Sequence, residues 1–234
     1  MKIALIGNGA MGQMVAGLAR AAGDEIGVTI TSANTGDVSA LAERLAGHDV
    51  AIDFSAASEV LKHTEACARA GVPLVEGTTG WHLQEDEVRR LVAEHNGALV
   101  YGANFSIGVN VFYRIVADAA KLFSNIEGYD PFIEEAHHKR KRDAPSGTAL
   151  RLRDLMVQAM DGREIPVAST RAGSIPGTHR VGFDSHVDQI TLTHMARSRE
   201  GFAAGALFAA RWIVGRKGVY EFSEVLDVIV SSEK

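Results

Sequence analysis

Short apolar runs and segments with helical spacing alternate through the N-terminal part of the chain. The apolar runs cover residues 2–6, 25–31, 50–54, 73–76 and 98–101, and the helical segments cover residues 10–22, 38–45, 59–70 and 83–95. Strands that are apolar on both faces are typical of a buried parallel sheet, and helices between them form right-handed crossovers. The pattern therefore predicts an α/β fold that begins with a Rossmann-like parallel-sheet domain.

The pattern changes near residue 107. A helical segment over residues 109–123, a strand over 131–137 and a helix over 148–160 are followed by strands over 167–171, 178–183 and 188–194, with no helices between these last three. This order predicts a second α+β domain that contains a mixed sheet. Residues 202–214 and 222–230 return to helical or apolar spacing. We therefore expect one domain from residues 1–107 and 199–234 and another from residues 108–198.

Composition excludes several classes of protein. The chain has 46% hydrophobic and 23% charged residues and a net charge of −5, with one short basic cluster at residues 139–142, so no nucleic-acid partner is expected. It lacks an apolar run of about 18 residues, and the segment before the first glycine is too short for a secretory leader. Cys67 is the only cysteine, which favours a reducing compartment. We expect a cytoplasmic protein with no membrane partner.

A glycine-rich turn follows the first apolar run. Gly7 permits a tight turn, Gly9 lets the backbone approach a pyrophosphate, and Gly12 allows close packing of helix on strand. Ala10 and Met11 lie at the start of the helix, where free N–H groups and the helix dipole attract anions. Because the turn opens a strand–helix series, it predicts a dinucleotide site, although a glycine-rich turn without a ligand would have the same sequence.

Ligands of such sheets bind beyond the carboxyl ends of the strands, so the loops there are candidate cofactor sites. The segment Gly77-Thr78-Thr79-Gly80 can approach the nicotinamide end of a cofactor or be an ordinary turn, and Asn104 can bind a carboxamide or lie in a plain hinge. The second strand ends in Thr31-Ser32-Ala33-Asn34, with no acid and no nearby arginine, which leaves both NADH and NADPH open. The candidate contacts in the loops are Phe54, Gly77, Thr78, Thr79, Ala103, Asn104 and Phe105.

The densest chemistry lies between residues 135 and 149. Consecutive His137 and His138 end a strand and point to opposite faces. No spaced metal ligands accompany them, so no metal is expected. The segment Pro145-Ser146-Gly147-Thr148 opens a helix and offers main-chain N–H groups and hydroxyls to a carboxylate. With a neighbouring lysine to bind a second carboxylate or donate a proton, the site fits a small dicarboxylate.

These motifs resemble those of the 4-hydroxy-tetrahydrodipicolinate reductase (dihydrodipicolinate reductase) family. The resemblance runs nearly end to end, and its most specific part runs from Glu135-Ala136-His137-His138 through Lys141 to the segment Asp143-Ala144-Pro145-Ser146-Gly147-Thr148-Ala149. It implies hydride transfer from NADH or NADPH to C4 of a cyclic imine in lysine and diaminopimelate biosynthesis. It also implies that residues 1–107 and 199–234 bind the dinucleotide, and that residues 108–198 bind substrate and form a homotetramer through their sheets.

The same resemblance implies roles for individual residues. His137 and Lys141 correspond to a catalytic pair, and His138, Ser146, Gly147 and Thr148 to substrate contacts. The chain departs from many members in having Ala10 and Ala56 where arginines are common, and in lacking an acid after the second strand. These departures concern cofactor preference. Two alternatives remain: another nicotinamide-dependent dehydrogenase of similar architecture, or a non-catalytic dinucleotide sensor.

Overall fold

A computed structural model describes residues 1–231, with side chains through residue 228; residues 232–234, which the predicted first domain includes, lie outside the described residues. The strands are β1 Lys2–Ile6, β2 Glu25–Ile30, β3 Val50–Asp53, β4 Leu74–Glu76, β5 Ala98–Tyr101, β6 Asp130–His137, β7 Val167–Arg171, β8 Thr178–Asp184, β9 Gln189–Met195 and β10 Gly218–Glu221. The helices are α1 Ala10–Ala21, α2 Val38–Leu45, α3 Val60–Ala70, α4 Glu85–Glu94, α5 Ile107–Phe123, α6 Gly147–Ala159, α7 Glu200–Ile213 and α8 Phe222–Ser231. Single 3₁₀ turns, at Ala57–Glu59 and His82–Gln84, precede α3 and α4.

The described residues form two compact units. The first contains Met1–Ser106 and the described residues from Glu200 onwards, and the second contains Ile107–Arg199. No helix within residues 1–231 is long and apolar enough to cross a membrane.

The first unit is built on a six-stranded parallel sheet in the order β10-β5-β4-β3-β1-β2. Alternate residues of β1 enter the two cores on opposite faces: Ile3 and Leu5 pack with α1 and α7, whereas Ala4 and Ile6 pack with α2 and α3. The predicted Rossmann-like parallel sheet is therefore confirmed. Most predicted strands and helices match to within two or three residues at their ends.

Strand β10 was not predicted from the sequence. It is four residues long and pairs in parallel with β5 at the edge of the sheet. Its sequence, Gly-Val-Tyr-Glu, lacks the apolar continuity of the inner strands, and none of its residues is fully buried. An edge strand is paired on one side only, so its sequence is less constrained than that of an inner strand.

The second unit has a four-stranded mixed sheet in the order β7-β6-β8-β9. Strands β6 and β7 are parallel, whereas β6–β8 and β8–β9 are antiparallel. Helices α5 and α6 share a core with one face of this sheet, in which Ile133, Val181 and Phe183 are fully buried. The predicted α+β unit with a mixed sheet is confirmed.

Candidate active site

The glycine turn of the first unit holds space open in front of α1. Gly7 has φ +94°, and a Cβ there would overlap the carbonyl of Phe54. A Cβ at Gly12 would overlap the carbonyl of Gly7. Gly9 caps α1 without a side-chain hydrogen bond, and a Cβ built on it would meet nothing within 4 Å. Gly7 and Gly12 are therefore required by internal packing, whereas Gly9 leaves the helix N-terminus accessible. Free N–H groups beside unfilled space fit the pyrophosphate of NADH or NADPH.

The loops after β3, β4 and β5 meet at the same edge of the sheet. The ring of Phe54 lies directly on Gly77, where any Cβ would overlap it, and it contacts the Phe105 ring edge-on at a centroid distance of 6.3 Å. The N–H of Ser55 donates to Thr78 Oγ1 at 3.1 Å. The structure thus brings together Phe54, Gly77, Thr78 and Phe105, four of the residues predicted for the cofactor site.

The remaining predicted contacts lie in these same loops. Thr79 and Ala103 are exposed. Asn104 Oδ1 accepts the N–H of Ser106 at 2.8 Å, so its side chain already helps to shape the loop.

The loop after β2 differs from the sequence-based expectation. No arginine was expected near Asn34, yet the guanidinium of Arg44, on α2, donates to the Asn34 carbonyl. Asn34 itself folds the loop, accepting the Thr31 N–H at 2.7 Å and donating to the Thr29 carbonyl at 3.1 Å. Arg44 was missed because it follows the strand by fourteen residues, and only the packing of α2 returns it to the loop.

In the second unit, His137 is part of a buried charged network. Its Nδ1 contacts Glu135 Oε2, and Arg171 donates to Glu135 Oε1 at 2.6 Å. His137 is paired with Arg171 across β6–β7, and Glu135 is paired with His179 across β6–β8. His137 and His179 meet edge to face at 5.1 Å. Sheet pairing therefore surrounds the predicted catalytic histidine with an acid, a cation and a second histidine.

Burial and charge set the protonation states in this network. Burial opposes ionisation of Glu135, but hydrogen bonds from Arg171, Ser169 and His137 prevail and lower its pKa to about 2. Burial lowers the pKa of His137, despite the opposing effect of Glu135. Burial, with the nearby His137, lowers the pKa of His179 to about 4. At neutral pH the site therefore holds an ionised Glu135, balanced by Arg171, and neutral imidazoles.

The neighbouring loop carries Lys141 and leads into α6. Lys141 Nζ forms an ion pair with Asp143 Oδ1 at 2.9 Å. The main-chain N–H of Lys141 donates to the carbonyl of His138 at 3.1 Å. His138 Nδ1 is buried and has no hydrogen-bond partner among the described residues. The basic loop is thus a folded turn that is closed by the main chain of Lys141 and His138.

The start of α6 has the features of an anion site. Gly147 is exposed, and a Cβ built there would meet nothing within 4 Å. The Ser146 hydroxyl is buried: it accepts the Ala149 N–H as the helix cap and contacts His179 Nε2 at 3.1 Å. Burial raises the pKa of the Tyr113 hydroxyl, and the nearby Thr148 side chain opposes this with a smaller effect that lowers it. Gly147 therefore offers the most accessible backbone, while Ser146 is engaged in holding the helix start.

Three residues of this network were missed by sequence reasoning. Glu135 could have been found, because it lies two residues before His137 on one face of a strand. Arg171 and His179 follow His137 by 34 and 42 residues, so only the pairing of their strands with β6 reveals that they lie near it.

Glu135, His137 and His179 also have potential ligand atoms within 4.8 Å of one another. Both Glu135 oxygens, His137 Nδ1 and His179 Nε2 already bond to each other, to Ser146 or to Arg171, whereas His179 Nδ1 is buried without a partner among the described residues. Because a guanidinium already balances the only carboxylate, the three groups act as a hydrogen-bonded set that orients His137.

Comparison with known proteins identifies the family. A family model described as "Dihydrodipicolinate reductase, N-terminus" matches residues 1–105, and one described as "Dihydrodipicolinate reductase, C-terminus" matches residues 108–226. The chain belongs to the dihydrodipicolinate reductase family. It is therefore an NAD(P)H-dependent oxidoreductase, and the predicted family is confirmed.

Relatives of this reductase family cover most of the chain. Proteins named 4-hydroxy-tetrahydrodipicolinate reductase are 34% identical in Christiangramia forsetii, over 97% of this chain and 98% of that protein, and 40% identical in Neisseria gonorrhoeae, over 88% and 81%. The fold resembles that of a dipicolinate-bound dihydrodipicolinate reductase from Paenisporosarcina sp. TG-14, with a TM-score of 0.80 and 23% identity over 96% of this chain and 99% of that one.

Proposed function

We propose that this member of the dihydrodipicolinate reductase family reduces 4-hydroxy-tetrahydrodipicolinate to tetrahydrodipicolinate in lysine and diaminopimelate biosynthesis. The 4-hydroxyl group leaves as water to give the conjugated cyclic imine. NADH or NADPH, when bound, would supply the hydride that is added at C4, and one proton completes the reduction. The observation that carries the proposal is the cluster of His137 and Glu135 on β6 with Arg171 on the neighbouring β7, since β6 leads directly to Lys141 and the anion-binding start of α6.

His137 and Lys141 handle the charge that develops during reduction. Negative charge moves onto the ring nitrogen of the imine, where a cation or an acid stabilises it most strongly in the transition state. The ammonium of Lys141 supplies that charge after exchanging its partner Asp143 for substrate. His137 donates its Nδ1–H to Glu135, so Nε2 of the neutral ring is an acceptor that takes up a proton from solvent and passes it to the substrate.

The two carboxylates of the substrate are bound by separate groups. The main-chain N–H groups of Gly147 and Thr148 bind one carboxylate at the N-terminus of α6. His138, with its unpartnered ring nitrogen, contacts the substrate from the adjoining turn. Ser146 contributes by capping the helix that presents these groups.

The first unit binds the cofactor. The accessible N-terminus of α1 at Gly9, Ala10 and Met11 holds the pyrophosphate, while the loops after β3, β4 and β5 receive the nicotinamide end.

Arg44 gives the loop after β2 a preference for NADPH, because an arginine there can pair with a 2′-phosphate. Arg44→Ala should weaken NADPH binding and leave NADH binding unchanged in calorimetry. Equal NADPH affinity in both proteins would refute this preference.

The second unit forms a homotetramer through the face of its sheet opposite α5 and α6. On this open face Phe132 lies against Gly182, Glu134 pairs with Arg180, and Thr191 and Thr193 are exposed. A polar, threonine-rich sheet face of this kind fits a second copy of the same chain. We place the enzyme in the cytoplasm, where the single buried thiol of Cys67 stays reduced.

The test is oxidation of NADH and NADPH by the purified protein with enzymatically generated 4-hydroxy-tetrahydrodipicolinate, beside a panel of other imines, aldehydes, amino acids and polyols. We expect turnover with the dicarboxylate imine alone. Turnover of another substrate would favour a different dehydrogenase. Calorimetric NAD(P)H binding without turnover of any substrate would favour a sensor.

A further inference from the structure

Two buried carboxyl groups lie side by side at the carboxyl edge of the parallel sheet. Asp53 ends β3 and Glu76 ends β4, and they are paired across the two strands. Both side chains are fully buried, and neither Asp53 Oδ1 nor Glu76 Oε2 has a hydrogen-bond partner among the described residues. The rest of β4, Leu74 and Val75, is apolar and buried, so the acid at its end is costly to bury without a compensating interaction.

One proton satisfies both orphaned oxygens. If Glu76 is protonated at Oε2, its O–H donates to Asp53 Oδ1, and the two carboxyl groups no longer repel each other. Asp53 Oδ2 is bonded to His63 Nδ1 at 2.6 Å, and since a carboxylate can only accept, the imidazole donates. Burial and the negative charge of Asp53 raise the pKa of Glu76 well above its usual value, against an opposing bond from Thr78.

The shared proton is linked to the two neighbouring loops. Glu76 Oε1 accepts the Thr78 N–H at 2.7 Å, and Thr78 Oγ1 in turn accepts the Ser55 N–H at 3.1 Å. Ser55 Oγ lies 3.4 Å from His63 Nδ1, where it can accept a weak second share of the N–H that donates to Asp53. A continuous set of hydrogen bonds therefore joins the loop after β3 to the loop after β4.

We propose that Glu76, as a neutral acid hydrogen-bonded to Asp53, is a positioning residue that fixes the two loops which receive the nicotinamide end of the cofactor. The proposal rests on the proposed cofactor site. Glu76 touches no reacting atom; it acts through Thr78, and its loss releases Thr78 and Ser55 from each other.

The proposal predicts that cofactor affinity depends on the Glu76 proton. At alkaline pH, ionised Glu76 would face the carboxylate of Asp53, and the linked loops would separate. The other titratable groups around the pair are His63 and Cys67 on α3 and Tyr101 beside Glu76 on β5. Burial raises the pKa of Cys67 well above its usual value, and burial with a bond to Glu85 raises the pKa of Tyr101 to about 12.

The decisive comparison is between Glu76→Gln and Glu76→Ala. Glutamine is permanently neutral, can donate to Asp53 and can accept from Thr78, whereas alanine can do neither. Calorimetric Kd values for NADH and NADPH should be within about twofold of wild type for Glu76→Gln and about tenfold weaker for Glu76→Ala at neutral pH. With rising pH the affinity should fall in the wild type and stay level in Glu76→Gln. Glu87→Gln, which changes an exposed acid on α4, is the matched control and should follow the wild type.

A second measurement does not depend on the cofactor. The infrared spectrum of the free protein at neutral pH should contain the C=O stretch of a protonated carboxyl group, which Glu76→Gln removes and Glu87→Gln retains. Absence of that band, wild-type affinity in Glu76→Ala, or the same pH profile in Glu76→Gln and wild type would overturn the proposal. If wild-type protein with the band present fails to bind NAD(P)H, the proposed cofactor site fails and the positioning role fails with it.

Discussion

The chemistry of single residues in the second unit depends on how Glu135 is held. Its Oε2 bonds to His137 and its Oε1 accepts from Arg171. The Ser146 N–H also donates to Oε1, at 3.4 Å. A carboxylate in this position fixes the tautomer and the direction of the imidazole, which is the role that acids commonly play beside catalytic histidines. Glu135 is thus a positioning residue for His137.

Replacing Glu135 should change both stability and its pH dependence. The pKa of Glu135 is lowered to about 2 in the folded protein, so its contribution is present above the unfolded pKa of about 4.5 and is lost as pH falls toward 2. Glu135→Gln should lower the free energy of unfolding at neutral pH by about 1–3 kcal/mol and remove part of the decline below pH of about 4.5. Denaturant unfolding measured across that range tests this.

The control is Asp130→Asn, which removes the exposed ion pair with Arg163 near the start of the same strand. Surface pairs contribute about 0–1 kcal/mol, so this variant should keep the wild-type pH dependence. Identical acid profiles for wild type and Glu135→Gln would contradict the account of Glu135.

Among the secondary-structure elements, the glycine turn before α1 has the most direct consequence for function. Gly9→Val should place a branched side chain in the open space at the helix N-terminus and weaken NAD(P)H binding by at least about tenfold, because the phosphates lose their approach to the N–H groups. Calorimetry on the folded variant measures the effect.

Gly17→Ala provides the comparison, because its added Cβ also meets nothing within 4 Å, but lies on the exposed side of α1. It should leave binding unchanged and stabilise the helix by up to about 1 kcal/mol. Undiminished cofactor binding in a folded Gly9→Val protein would remove the pyrophosphate site from this turn.

Elements with strong periodicity could be predicted from sequence, whereas contacts between distant segments could not. The four inner strands of the parallel sheet are mainly apolar and buried, and helix stops such as Gly71, with φ +69°, follow local rules. Strand β10 was missed because its two central residues, a valine and a tyrosine, are flanked by a glycine and a glutamate and form no continuous apolar run. The Arg44 contact and the Asp53–Glu76 pair depend on how separate elements pack, which a single sequence does not specify.

The residues of the candidate site also divide into those that the sequence predicts and those that only the structure reveals. His137, Lys141 and the start of α6 lie close together in the sequence, so a motif reveals them. Arg171 and His179 arrive from β7 and β8, and their presence follows from the register of a mixed sheet. The sequence therefore reveals the groups that are predicted to contact the substrate more readily than the buried groups that surround them.

At the scale of the whole molecule, the open face of the second sheet should mediate tetramer formation. Thr193→Arg places a second cation beside Arg180, which is its partner across β8–β9, and brings like charges together in a face that meets its own copy. The variant should sediment as a smaller species than the wild type, with an unchanged circular dichroism spectrum. Arg89→Glu, an exposed change on α4 of the first unit, should leave the oligomer intact. A wild-type tetramer that survives Thr193→Arg would exclude this face.

We propose that the second unit supplies the proton and the substrate charge contacts, while the first unit binds the cofactor independently. The most direct test measures kcat/KM with 4-hydroxy-tetrahydrodipicolinate and calorimetric NAD(P)H affinity for His137→Gln and Lys141→Ala, with the exposed Arg142→Ala from the same loop as control. We predict that kcat falls by about 10²–10⁴-fold in His137→Gln, that kcat falls and KM rises in Lys141→Ala, and that cofactor affinity stays within about twofold in all three. Wild-type kcat/KM in both variants, or a loss of cofactor affinity equal to the loss of activity, would contradict the account.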